Sequence, residues 1–252
     1  MKELLKRVVT GSSVEAPLKR VHAMLSGNRN SAYDWQTIEI MRRVLRPDSG
    51  AIDVGAFDGG MLRHMERFSP NGRLFAFEPI PERFERLKRR FPRAHVYPYA
   101  LGAEPDEAVF YEFLEHPPLS GLRRREAVLP DASAREVRVT VETLDHVIPE
   151  DARVAFVKID VEGGELGVFQ GGVETIRRNS PVVVFECGIG GADQFGVKPE
   201  DVFDAVRACG LAISALPGWL GDAPALGRTQ FAEQFWNHGD FYFVAHPMKG
   251  AT

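Results

Sequence analysis

The chain has 252 residues, 44% hydrophobic and 26% charged, which suffices for the core of one α/β domain. Its formal net charge of −4 gives no general pull toward nucleic acid or an anionic membrane, so neither is expected as a partner. Two cysteines, Cys187 and Cys209, form no C-x-x-C pair, which argues against a disulfide framework and a zinc site.

Along the chain, the first residues, Met1 to Arg7, are amphipathic and lack the apolar stretch of a signal peptide. No run reaches the length of a transmembrane helix, so a soluble cytoplasmic protein is expected. Residues 1–32 read as an N-terminal extension with a polar linker at 26–31. A helix follows, with Asp34 as N-cap, Trp35, Ile38, Met41 and Leu45 on one face, and Pro47 closing it. The apolar run 51–54 ends in glycine, as a buried parallel strand feeding a turn does. Met61 to Phe68 is a short helix, and Arg73 to Phe77 a strand running into Glu78 and Pro79. Pro81 opens a helix presenting Phe84, Leu87 and Phe91, and His95 to Tyr99 is a third strand. This alternation predicts a doubly wound parallel sheet.

Ala108 to Phe113 and Glu136 to Val141 read as strands around a polar insertion, 115–135, which lacks periodicity of its own and reads as either a binding loop or a disordered segment. Val154 to Asp160 is a strand, and one helix carries Leu166, Phe169, Val173 and Ile176. A buried strand at 181–186, a helix at 199–209 and closing strands at 211–216 and 241–246 complete the pattern.

Four strands run into acids: Asp53, Glu78, Asp160 and Glu186. In open parallel sheets, ligands bind at the carboxyl ends of the strands. After the first strand, Gly55, Gly59 and Gly60 permit a tight turn that a ligand can approach closely. A dinucleotide turn would read G-x-G-x-x-G, so that amide groups cradle a pyrophosphate. Here Asp58 places a negative charge where the phosphate would lie, which argues against NAD. S-adenosylmethionine, which has an ammonium and a sulfonium but no phosphate, fits better. Asp53 would face the ammonium, and Glu78, 23 residues after Gly55, stands near the interval expected for an acid holding ribose hydroxyls. The second constellation is Lys158-Ile159-Asp160-Val161-Glu162-Gly163-Gly164-Glu165. Lys158 and Asp160 share one face of their strand. An unpaired ammonium in an apolar strand is costly, so Lys158 is expected to pair with Asp160 or Glu162. Glu162 and Glu165 also suit the N-terminus of the following helix.

Together these segments resemble the FkbM family of S-adenosylmethionine-dependent methyltransferases: Ile52 to Gly59, Phe77-Glu78-Pro79, Tyr99 to Gly102, Thr143-Leu144-Asp145 and Val157 to Glu165, in order over roughly residues 33–190. The resemblance implies a class I methyltransferase fold, Rossmann-like and doubly wound, with a mostly parallel seven-stranded sheet and one antiparallel closing strand, over residues 33–252. It further implies O-methylation of a hydroxyl on a small molecule such as a sugar, glycan or natural product. Carried onto this chain, Asp53, Gly55, Asp58 and Gly59 form the cofactor turn, Glu78 holds the ribose, and Ala100 and Leu101 border the adenine. Asp160 lies near the methionine part. Gly164 stands where the family commonly has alanine. Segments around 115–135 and 190–240 match poorly and are read as the variable substrate cover.

A hydroxyl acceptor must lose a proton during transfer, which calls for a base or a metal. Asp160 and Glu162, tuned by Lys158, are the expected catalytic groups. Glu186, His116 and His238 are further candidates for the base. A divalent metal on these acids is possible in principle because hard oxygen ligands suit magnesium, but no metal is favoured. Arg123 to Arg125 read as a solvated loop face or a contact to an anionic acceptor group. Ser120 to Leu122 either border the substrate or form a turn. Tyr33 and Asp34 could fold over the cofactor. The rival readings are a cofactor-binding scaffold of the same fold without catalysis and a nicotinamide oxidoreductase.

Overall fold

The structure, a computed structural model, describes residues 29–115, 120–123 and 133–248. Residues 1–28, His116 and the proline pair after it, and Arg124 and Arg125 lie outside the described residues, as does most of the 115–135 insertion. The elements in order are α1 (Arg29–Val44), β1 (Gly50–Val54), α2 (Gly60–Phe68), β2 (Leu74–Phe77), α3 (Pro81–Arg90), β3 (His95–Tyr97), β4 (Tyr99–Leu101), β5 (Asp106–Phe113), β6 (Ala134–Glu142) and α4 (Leu144–Val147). Then follow β7 (Val154–Ile159), α5 (Glu165–Gln170), α6 (Val173–Asn179), β8 (Val182–Glu186), a 3-10 turn (Ala192–Phe195), α7 (Pro199–Ala208), β9 (Leu211–Ala215), α8 (Leu216–Leu220), α9 (Arg228–Trp236) and β10 (Tyr242–Pro247).

A seven-stranded sheet runs β3-β2-β1-β7-β8-β10-β9, with β10 antiparallel to both its neighbours and the other pairs parallel. This is the expected class I methyltransferase architecture: the order reverses between β1 and β7, which opens a crevice at their carboxyl ends. The strands are apolar on both faces because helices cover both. Ile52, Val54, Phe75, Phe77, Val157 and Phe185 pack in one cluster, and Ala51, Ala76, Phe156 and Val184 in another with Met41, Leu62 and Met65 of α1 and α2. A three-stranded sheet, β4-β6-β5, stands beside the first. No helix among the described residues is long and apolar enough to cross a membrane.

Four expectations change. The strand expected over 95–99 is two strands in different sheets, split at Pro98, whose missing N–H interrupts a ladder. The helix expected through Leu166 and Ile176 is two helices, α5 and α6, broken at Gly171-Gly172. A Cβ on Gly171 would overlap the carbonyl oxygen of Gly102, so the break lets β4 and the helix approach. The first helix is already formed at Arg29, so residues 29–31 are not linker and Asp34 is not an N-cap. Its inner face is Tyr33, Thr37, Ile38, Ile40 and Met41, with Trp35 only half buried. Finally, the 190–240 segment contains two helices that periodicity had not separated, α8 and α9. Phe231 and Phe235 of α9 are fully buried, the former 4.7 Å from Phe243 between ring centroids. A buried ring of this kind contributes about 2–3 kcal/mol, which makes α9 part of the core.

Candidate active site

The register of the sheet assembles the site. Asp53 of β1 lies opposite Lys158 of β7, and Glu186 of β8 opposite Tyr242 of β10. The two-residue period of a strand puts all four side chains, with Asp160 just beyond β7, on the face covered by α1 and α2. A cavity of about 400 Å³ opens there, lined by Asp53, Gly55, Phe57, Asp58, Glu78, Ala100, Leu101, Lys158, Asp160 and Glu162 among others. Of the residues expected in the cofactor turn and its flanks, only Gly59 does not line it; Lys158, Asp160 and Glu162 line it, whereas the further candidate base Glu186 does not.

The turn after β1 is held by Glu78. Its Oε2 accepts the Phe57 N–H at 3.0 Å and its Oε1 accepts the Ile80 N–H at 3.0 Å. Burial pushes this carboxyl up to about 7, against the pull of the Ile80 amide and Arg83. Gly55 and Gly59 take left-handed φ values of 79° and 77°. Their missing side chains make room for protein rather than for ligand: a Cβ on Gly55 would overlap the Asp160 carbonyl, and one on Gly59 would strike Phe91. Asp58 is exposed and its Oδ1 accepts the Gly60 N–H at 2.9 Å, which puts a carboxylate at the head of α2 where a phosphate would sit.

Asp53 is buried, and neither carboxylate oxygen meets a donor at good hydrogen-bond geometry among the described residues, the Leu62 N–H of α2 exerting only a weak pull on it. Burial pushes it up to about 6, with Lys158 pulling the other way. An acid buried without partners is costly unless a ligand supplies them. A cationic ligand head group at this position fits that requirement.

The turn after β7 is the opposite case. Lys158 Nζ donates to Asp160 Oδ2 at 2.7 Å, and Tyr242 Oη donates to the same oxygen at 2.8 Å. Burial would pull the Lys158 ammonium down, but Asp160 and Asp53 outweigh it and the group is held above its usual value. Burial would raise Asp160, but Lys158 and the hydrogen bonds from Tyr242 and Glu186 keep it low. Burial, and then the charges of Asp160 and Glu162, drive the Glu186 carboxyl well above its usual value, and it is hydrogen-bonded to Asp160. Glu162 sits at a left-handed φ of 57°, followed by Gly163 at 108°, where a Cβ would overlap the Gly191 carbonyl. Glu165 pins this turn: its Oε1 accepts the N–H groups of Val161 and Gly163 at 3.1 and 3.2 Å. Glu165 is therefore a structural brace. The carboxylate oxygens of Asp160, Glu162 and Glu186 come within 4.8 Å of one another.

The remaining candidates divide between the cavity wall and the rest of the molecule. His238 is exposed and does not line the cavity, and its carbonyl accepts from Arg29 at 3.3 Å. No described residue of 190–240 lines the cavity. Ser120 and Leu122 do line it, and Ser120 Oγ accepts the Phe113 N–H at 3.0 Å, so that segment is both border and turn. Asp34 lines it as well, whereas Tyr33 stacks on Tyr242 at 5.1 Å.

The sequence reading missed Tyr242 and Arg83. Alternation along β10 puts Tyr242 on the face of Val244, but only the antiparallel pairing sets it beside Glu186. Arg83 is buried in the cavity wall and donates to Glu112 Oε1 at 2.9 Å. Its one sequence signal is the cluster of charges in the first turn of α3.

No curated protein matches this chain. Among solved structures, it is similar to the methyltransferase FkbM of Methylobacillus flagellatus at 15% identity, covering 83% of this chain and 50% of that one, with a TM-score of 0.47. This chain thus spans about half the length of that protein. A TehB-like SAM-dependent methyltransferase from Corynebacterium glutamicum is similar at 11% identity, over 92% of this chain and 99% of the other, with a TM-score of 0.42. Fibrillarin from Aeropyrum pernix, solved with natively bound S-adenosyl-L-methionine, is similar at 13% identity, over 80% and 67%, with a TM-score of 0.40. The methyltransferase FkbM domain matches residues 53–211, from the orphaned aspartate of β1 through both strand-end turns to the start of β9. That match spans more than half of the chain and takes in every acid of the cavity wall except Asp34, and on it this protein belongs to the FkbM methyltransferase family.

Proposed function

We propose that this protein is an S-adenosylmethionine-dependent O-methyltransferase whose acceptor is a hydroxyl on a small molecule. The observation that carries the reading is Asp53, a buried carboxylate without a partner on the cavity wall. It suits the cofactor's ammonium. Glu78 keeps lone pairs for ribose hydroxyls while bracing the turn, and Ala100 and Leu101 offer an apolar border for adenine. When bound, the cofactor supplies a methyl group activated by the sulfonium.

The remaining work falls to side chains of this chain. Methyl transfer is an in-line displacement, so positioning contributes most of the rate. Asp160, already accepting from Lys158 and Tyr242, orients a hydroxyl better than it deprotonates one. Glu162 lines the same wall, which supports assigning it the proton that leaves as the new bond forms. Lys158 places a cation inside the acid cluster, which favours a metal-independent reaction.

The test is titration calorimetry with S-adenosylhomocysteine and with NAD, followed by labelled methyl transfer over a panel of hydroxyl acceptors. Binding of the first ligand alone, with turnover reduced by Glu162→Gln, is expected. Tight binding without turnover on any acceptor would favour the scaffold reading, and turnover lost on exhaustive chelation and restored by magnesium would overturn the metal-independent one.

A further inference from the structure

Phe57 combines two unfavourable features. Its φ of 49° lies in the left-handed region, where a bulky side chain is strained and Gly or Asn would sit more easily. The residue is also 38% exposed while lining the cavity, although apolar rings gain by burial.

The ring is nevertheless firmly placed. Its own N–H donates to Glu78 Oε2 at 3.0 Å, which ties its backbone to the acid assigned to the ribose. The Arg83 guanidinium lies 4.7 Å from its centroid. Arg83 is itself buried and fixed by Glu112, which Arg135 also holds, with its Nε 2.9 Å from Glu112 Oε2. One side of the ring is thus backed by an immobilised planar cation, and both residues line the cavity beside Glu78 and Pro79. A flat, cation-backed ring next to a ribose acid suits a nucleobase or the sugar attached to it.

We propose that Phe57, backed by Arg83, is the platform for the nucleoside half of the cofactor, and that an aromatic residue is kept at this strained position for that contact. The inference rests on the methyltransferase reading above and adds the aromatic side chain of this turn to the glycines and acids already assigned to the cofactor.

The test is calorimetric titration of S-adenosylhomocysteine and of adenosine into the wild-type protein and the Phe57→Tyr, Phe57→Leu and Phe57→Asn variants, with melting curves of each without ligand. Phe57→Tyr is expected to bind like wild type. Phe57→Asn and Phe57→Leu are each expected to weaken both ligands by about tenfold, since loss of one base-stacking ring has effects of that order. Phe57→Asn, relieved of strain, should melt no lower than wild type. Equal affinity of Phe57→Asn and wild type overturns the platform, as does wild-type affinity in Phe57→Leu, which would reduce the role to apolar packing. A loss of turnover with cofactor affinity intact would move the contact to the acceptor and also overturn it. A wild-type protein that binds no S-adenosylhomocysteine overturns the methyltransferase reading and the platform together, which separates the two failures.

Discussion

The turn after β1 and the turn after β7 share a plan. Each follows a buried parallel strand, each contains a non-glycine residue at left-handed φ (Phe57 and Glu162), and each is pinned by a buried glutamate accepting two backbone N–H groups (Glu78 and Glu165). They differ in the aspartate. Asp53 has no hydrogen-bond partner among the described residues, whereas Asp160 accepts from Lys158 and Tyr242 on one oxygen. Lys158 sits opposite Asp53 in the register yet gives its hydrogen bond to Asp160. One turn is therefore electrostatically complete and the other is built to be completed by a ligand. A carboxylate at a strand end is thus not one kind of feature, and its partners decide whether it braces or binds.

Four substitutions test that contrast. Asp160→Ala has the largest expected effect: it leaves the buried Lys158 ammonium without its 2.7 Å partner and should destabilise the fold by about 3–5 kcal/mol in urea unfolding. Asp53→Asn should do the reverse. Asp53 rises from 3.8 to about 6 on folding, so the folded state holds its proton more tightly. Its stability contribution is complete below 3.8 and is lost as pH rises toward 6, at a cost of about 3 kcal/mol by pH 7. The variant is therefore more stable than wild type at neutral pH, while its affinity for S-adenosylhomocysteine falls about a hundredfold. Wild-type affinity should also climb between pH 5 and 7 as Asp53 ionises, by about tenfold per unit below 6, and the variant should lose that part, keeping only the part set by Glu78 near 7. A destabilised Asp53→Asn would break the contrast.

Gly55→Ala comes next, because Gly55 is where the two turns touch. A Cβ at its φ of 79° meets the Asp160 carbonyl, and a loss of about 2–3 kcal/mol is expected, with weaker ligand binding, by melting and calorimetry. Tyr242→Phe is the mildest. Removing one donor from an otherwise occupied oxygen should cost about 1 kcal/mol in urea unfolding and leave S-adenosylhomocysteine affinity unchanged.

The alternation of short apolar runs and amphipathic helices was enough to place β1, β2, α2, α3, β7 and β8, and the acids at their ends followed from that placement. Three features resisted reading for physical reasons. Pro98 inside an apolar run looks like a strand residue until the ladder has to pass through a nitrogen without a proton. Gly171-Gly172 interrupts a helical period that by itself continues, because the reason for the break is a neighbouring backbone 69 residues earlier in the chain, at Gly102. The helix α9 carries no helical period clear enough to separate it within 190–240, yet it supplies Phe231 and Phe235 to the core.

Composition and periodicity determined a doubly wound sheet with carboxylates at its carboxyl ends, because period-two burial and turn chemistry are local properties of the chain. The pairing of those carboxylates was a matter for the tertiary structure. Strand register set Asp53 beside Lys158 and Tyr242 beside Glu186, and the antiparallel return of β10 brought a hydroxyl to Asp160 from 82 residues away. An electrostatic site depends on distances of a few ångströms between groups far apart in sequence, and only the folded sheet fixes those distances.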